Sequence, residues 1–126
     1  MKKVITTHEA PQAIGPYSQA IQVGQMVFIS GQIPIVPETG EVCSSMISEQ
    51  THQVFKNLQA ICLAAGGTLA DLVKITIYLT DLTHFEIVNQ IMQSYFKAPF
   101  PARVTIGVAS LPRQASIEIE GIMALS

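Results

Sequence analysis

The chain has 126 residues, seven Lys and Arg against nine Asp and Glu, and a formal net charge of −2. That length sets one domain, residues 1–126, and the charge balance leaves no basic footprint for nucleic acid. Apolar residues reach 48% and charged residues only 13%, so part of the surface is expected to lie against other copies of the chain.

No apolar run approaches the roughly 18 residues of a membrane span. Lys2 and Lys3 precede Thr6, Thr7, His8 and Glu9 instead of an apolar signal core, so a cytoplasmic location is expected.

Lys3 to Thr7 reads as a strand. Pro11, Gly15 and Pro16 then break the chain into a loop that presents Tyr17. A large amphipathic ring on a loop serves binding about as often as it caps a domain edge. Ala20–Val23 and Met26–Ser30 form two strands about a turn at Gly24-Gln25. Gly31 marks a bulge or a close backbone approach to a ligand, with the bulge favoured. Gln32 to Val36 continues irregularly through Pro34, and PETG at 37–40 is a turn.

Ser48 to Ala65 is the first helix. Val54, Phe55, Leu58, Ile61, Cys62 and Ala65 form its apolar stripe, and Gly66-Gly67 ends it. Leu72 to Thr80 is a strand with Val73, Ile75, Ile77 and Leu79 inward. Thr83 and Glu86 have capping-box spacing, which makes Thr83 the expected N-cap of a second helix striped by Phe85, Val88, Met92 and Phe96. Asn89 lies at the margin of that stripe, where a structural hydrogen bond to a nearby loop is the favoured reading.

Residues 100–112, FPARVTIGVASLP, carry strand alternation bounded by prolines, and SIEIEGIM at 116–123 is the last strand. The order β-β-β-α-β-α-β-β gives an α+β fold, one mixed sheet with two helices on one face. Thr76, Tyr78, Thr105 and Gly107 are expected on the other face, covered by further copies.

Two features carry chemistry. Arg103 opens the fifth strand, and Glu118 and Glu120 share a face of the sixth. If the two strands form a hairpin, arginine and carboxylate meet across it. That arrangement is either an ion pair that locks the hairpin or the floor of an anionic-ligand pocket, about equally. A carboxylate drawn into apolar company gains a raised pKa, suited to general acid-base work. Cys43 and Cys62 lack metal-ligand or redox spacing, Cys62 reading as core, and His8, His52 and His84 are far apart in sequence. The residues alone point to a pocket for a small anion, carboxylate or phosphate, with acid-base chemistry and no metal.

The stretches AIGPYSQA (13–20), FISGQIP (28–34), AAGGTLADLVKITIYLTD (64–81), FPARVTIGVASLP (100–112) and IEIEGIMA (117–124) together resemble the RidA (YjgF) family of imine deaminases over essentially the whole chain. The resemblance implies a chorismate-mutase-like homotrimer with sites in clefts between subunits and no cofactor. It implies that Arg103 grips the substrate carboxylate, Glu118 positions the attacking water, and Tyr17 reaches in from a neighbouring subunit. Ser30 and Gly31 would line the wall and Asn89 would stand near the site. Thr105 occupies a position that is often cysteine in the family, where a backbone contact survives the change and thiol chemistry does not.

The implied reaction is hydrolysis of 2-iminobutanoate and 2-iminopropanoate to 2-oxo acids and ammonia, which protects pyridoxal-phosphate enzymes. Two other classes stand beside it, a regulatory trimer that binds small carboxylates and a ribonuclease or translation inhibitor. The acidic balance weighs against the last.

Overall fold

Period-two and period-3.6 patterns resolve into six strands and two α-helices in the computed structural model, which describes residues 1–126. The strands are β1 (Lys3–Ile5), β2 (Ala20–Val23), β3 (Met26–Gln32), β4 (Leu72–Leu79), β5 (Ala102–Gly107) and β6 (Ile117–Ala124). The helices are α1 (Ile47–Ala64) and α2 (Phe85–Tyr95). They form one mixed sheet in the order β1-β2-β3-β6-β4-β5. Only the β4–β5 pair is parallel, as the α2 crossover between them requires.

The sheet has a covered face and an open one. Val27, Ile29, Ile75, Ile77, Ile117, Ile119 and Met123 point inward against Val54, Phe55, Leu58 and Ile61 of α1 and Val88 and Met92 of α2, all buried. The opposite face carries Val4, Val23, Met26, Phe28, Val104 and Ile106, all exposed. The register joins them into one row after another: Val4 pairs with Ile21, Ile21 with Phe28 and Phe28 with Ile122. Burying such a face is worth roughly 25 cal/mol per Å², and nothing within one chain covers it.

Local signals explain most element ends. At the end of α1 the Gly67 N–H donates to Cys62 O (2.9 Å) and the Gly66 N–H to Leu63 O (3.0 Å). Gly66 takes φ +94°, the left-handed residue that such a six-to-one closure needs. The buried Asn57 amide of α1 donates to Ile33 O and Ile35 O, holding the irregular segment after β3 against the helix.

Four expectations are corrected. First, β5 and β6 are not a hairpin, because β4 lies between them and pairs with both. The short connection after β5 crosses over β4 instead of turning back. Second, Thr105 and Gly107 share the helix-covered face with Ile77 and Leu79, and Val104 and Ile106 take the open face with Thr76 and Tyr78. The apolar side of β5 is therefore the uncovered one. Third, Val73 is exposed, because the β4–β6 register slips between Leu72 and Lys74 and turns it outward. Fourth, Asp81 is the cap at the start of the α2 region. Its Oδ1 accepts the Thr83 N–H (2.9 Å) and hydroxyl (2.7 Å), and the helix proper starts at Phe85 with no side-chain cap. An aspartate two residues earlier outcompetes the Thr83 hydroxyl for the free N–H groups.

Candidate functional site

The predicted site residues fall into two groups on opposite faces of the sheet. The first group surrounds Arg103. Its side chain lies on the helix side of edge strand β5, beneath α2. Nη1 donates to Asn89 Oδ1 (2.5 Å) and approaches Met92 Sδ (3.6 Å), and the guanidinium carbon stands 5.2 Å from the centre of the Phe85 ring. Phe85, Asn89 and Met92 follow one another at helical spacing, so one face of α2 supplies all three contacts. They hold the planar cation with one edge bonded and the rest of its donors free, a fork suited to a carboxylate. Arg103, Asn89 and Met92 line a cleft of about 430 Å³ with Gln93, Phe100 and Pro101. Asn89 thus bonds the arginine of the neighbouring strand, where a loop contact was expected.

The backbone adds to this group. The Val108 N–H donates to Leu79 O (2.9 Å), so by strand alternation Val104 and Ile106 also turn their peptide groups toward β4. Arg103, Thr105 and Gly107 turn theirs to the free edge. Thr105 therefore presents its N–H and C=O beside the Arg103 cleft. Its own Oγ1 is buried with no partner.

The second group lies at the β3–β6 pair. Glu118 is half-buried on the open face, cross-strand from Tyr78, with Glu120 two residues on. Burial, and next the neighbouring Glu120 carboxylate, push the Glu118 carboxyl above its ordinary range. Gly31 stands directly against it: a Cβ at that position would collide with the Glu118 carboxyl group. Gly31 sits where the β3–β6 register shifts between Ile29 and Gln32, so the bulge and the close approach are both present, the approach being to a carboxylate of the chain itself. Ser30 donates from Oγ to Ser18 O (2.5 Å) and its N–H bonds Gln19 O (3.0 Å), which pins the loop beside Tyr17. Tyr17 is 52% exposed and borders, with Gly31, a cleft of about 250 Å³.

Arg103 and Glu118 do not meet within one chain. Glu118 is level with Tyr78 and Ile106. Arg103 therefore lies two strands across and three residues along, each about 10 Å, and on the other face. Neither the hairpin ion pair nor a one-chain pocket exists. Glu120 instead accepts the Tyr78 hydroxyl (2.8 Å), which raises the tyrosine pKa.

Sequence reasoning missed several supports. Gln19 is buried and its amide ties Thr7, Ala10 and Pro11 to the base of the Tyr17 loop. Phe85 and Met92 fit the core stripe by spacing, yet with Asn89 they also hold the Arg103 guanidinium. No three His, Cys, Asp or Glu side chains gather as a metal site would require. Cys62 is buried in the core, its thiol pushed up to about 12 chiefly by that burial. No helix is long and apolar enough to cross a membrane.

Residues 7–125 match the sequence profile of the family described as Endoribonuclease L-PSP. The chain belongs to this family, the RidA family. A 2-iminobutanoate/2-iminopropanoate deaminase from Dermatophagoides farinae is 44% identical over 124 residues, 98% of this chain and 97% of that protein. The crystal structure of RidA from an Antarctic Psychrobacter superposes with a TM-score of 0.95 at 45% identity, covering 98% of this chain and 99% of that one. Escherichia coli TdcF, crystallised with bound serine, gives 0.94 at 41% identity over 98% and 99%. The family's names are mixed, spanning endoribonuclease and deaminase, but the deaminase names among full-length relatives support an imine deaminase activity in general for this RidA-family chain.

Proposed function

We propose that the protein hydrolyses 2-imino acids such as 2-iminobutanoate and 2-iminopropanoate to 2-oxo acids and ammonia, in clefts shared by adjacent copies of a homotrimer. The observation that carries this reading is the separation of the two halves. A carboxylate-binding arginine stands at a free strand edge. A half-buried glutamate stands on an uncovered apolar face of the same sheet. Packing that face against another copy brings the Arg103, Asn89 and Thr105 half of one chain to the Tyr17, Ser30, Gly31 and Glu118 half of the next.

Each group then has a defined task. Arg103, its fork oriented by Asn89 and Phe85, binds the substrate carboxylate. The free Thr105 peptide group supports the same end. Glu118, as carboxylate, takes a proton from water as the water oxygen bonds to the protonated imine carbon. The carbinolamine nitrogen then receives that proton from the Glu118 carboxyl. As the C–N bond breaks and ammonia leaves, the hydroxyl proton returns to the Glu118 carboxylate and a C=O bond remains, and Glu118 passes the proton on to ammonia as ammonium. A carboxyl with a raised pKa both takes and returns the proton readily. An iminium is already electrophilic, so orientation and one proton shuttle suffice.

The test couples the protein to a threonine dehydratase, with semicarbazide trapping free imine. Wild type is expected to speed 2-oxobutanoate release and to suppress semicarbazone, and Arg103→Ala to lose at least about 100-fold of that effect. Equal rates for the two proteins would remove Arg103 from the site. A second reading is a regulatory trimer that binds small amino or oxo acids, favoured by the serine found in the TdcF structure. It predicts ligand-dependent stabilisation with no acceleration by wild type.

A further inference from the structure

Arg113 has no part in the imine chemistry. Arg113 lies at the mouth of the cleft bordered by Ile14, Tyr17, Gly31, Ile33 and Pro112. Its backbone is unusual: Arg113 has φ +59° and Gln114 φ +58°, two successive non-glycine residues in the left-handed region. Neither type favours that region, and no glycine relieves it, so the turn holds a disfavoured conformation beside the proposed site. Its effect is to carry the Arg113 side chain to the cleft. There Nη2 donates to Gly40 O (3.3 Å) and stands 3.6 Å from Glu41 Oε2.

Glu41 is the informative partner. A carboxylate of the chain already rests on the guanidinium, but in solvent: the Glu41 side chain is 75% exposed. Such a pair is weak and exchanges readily for another carboxylate. The Arg113 Nη1 and Nε donors make no hydrogen bond to the protein and remain available for a planar two-point contact. Between Tyr17 and Arg113 the cleft exposes mostly apolar surface from Ile14, Ile33 and Ile35, with the amides of Gln12 and Gln32 beside it. The cleft thus has the layout of a slot for a short carbon chain that ends at a cation.

We propose that Arg113 is a specificity-determining residue that selects 2-imino acids, and their 2-oxo products, whose side chain ends in a second carboxylate. This rests on the reading that Tyr17, Gly31 and Glu118 border the reacting centre. With the first carboxylate on Arg103 of an adjacent copy, the second displaces Glu41 from Arg113. The same cation offsets the negative charge of Glu118 and Glu41 that a dianion meets on entry.

The experiment is calorimetric titration with 2-oxoglutarate and 2-oxobutanoate as unreactive probes, on wild type, Arg113→Gln and Glu41→Gln. Wild type is expected to bind 2-oxoglutarate about tenfold more tightly. Arg113→Gln, whose new side chain is one that the next residue already carries in this backbone conformation, brings the ratio of affinities close to one. Glu41→Gln, by removing the competing carboxylate, widens the ratio. Opposite effects of the two variants are not produced by an arginine that only braces the turn. A ratio that is near one in wild type, or is the same in all three proteins, overturns the proposal. The coupled imine assay run on the same samples separates the two ideas. An Arg113-dependent ratio without imine hydrolysis sinks the deaminase reading alone, and hydrolysis with an unmoved ratio sinks the selectivity alone.

Discussion

Glu118 and Gly31 show how one residue decides the chemistry of another. Glu118 is held above the ordinary carboxylate range by burial and then by Glu120, so the fold disfavours its ionised form. Stability from this group is therefore fully present below the unfolded carboxylate pKa and is lost as pH rises through the raised folded value. Glu118→Gln is expected to change the melting temperature little near about pH 4 and to raise it at neutral pH, as differential scanning calorimetry at both values would show. In the proposed mechanism activity is expected to run the other way, since the carboxylate must be ionised to accept a proton from water, and to fall as pH drops through that raised pKa. Gly31→Ala places a methyl group where the Glu118 carboxyl lies. The displaced atoms are the far end of a flexible side chain, so the fold survives. Turnover is expected to drop by about tenfold or more with a shift of only a few degrees in melting temperature. Loss of the fold with that substitution would show that the contact is structural.

At the scale of elements, periodicity reported β4, β6 and the two helices well because each has one buried face, whereas β5, with no buried residue, was found by its alternation but assigned to the wrong face. The α1 helix ends where its glycines dictate, and Gly66 at φ +94° makes a direct test: Gly66→Ala is expected to cost about 1–2 kcal/mol, measured by urea denaturation. An unchanged midpoint would mean that the closing turn relaxes into another form. Interactions between elements were less legible. The Thr83–Glu86 spacing fits a capping box, yet Asp81 takes the Thr83 N–H and hydroxyl. Val73 fits the inward alternation of β4, yet the bulge turns it out. In both cases a pattern with one local solution met a neighbour that offered a better one. The turn at Arg113 and Gln114 was invisible, because neither residue type signals a left-handed backbone.

At the scale of the whole molecule, the open face is the surface through which the proposed assembly would form. It carries Phe28 at 47% exposure among Val4, Met26, Val104 and Ile106, and the two halves of the proposed site lie on either side of the sheet. If each site takes Arg103 from one copy and Glu118 from the next, two inactive variants complement each other. Arg103→Ala and Glu118→Gln, unfolded together and refolded as a 1:1 mixture, should regain up to about a quarter of wild-type activity, because that share of interfaces pairs an intact arginine with an intact glutamate. No recovery from properly assembled mixed oligomers would place both residues in a site made by one chain.

The sequence by itself determined the elements, the α+β class, the two-face alternation of β6, the core position of Cys62 and, through its motifs, the family. These follow from local periodicity and from short motifs read along the chain. Only the tertiary structure decided which strands are neighbours and therefore which side chains meet. Strand β4 lies between β5 and β6, so Arg103 turns to Asn89 under α2 and Glu118 turns to Gly31 on the open face. The physical reason is that alternation assigns each residue to one of two faces but carries no information about strand order, and a parallel crossover through α2 reorders the sheet without altering any local pattern.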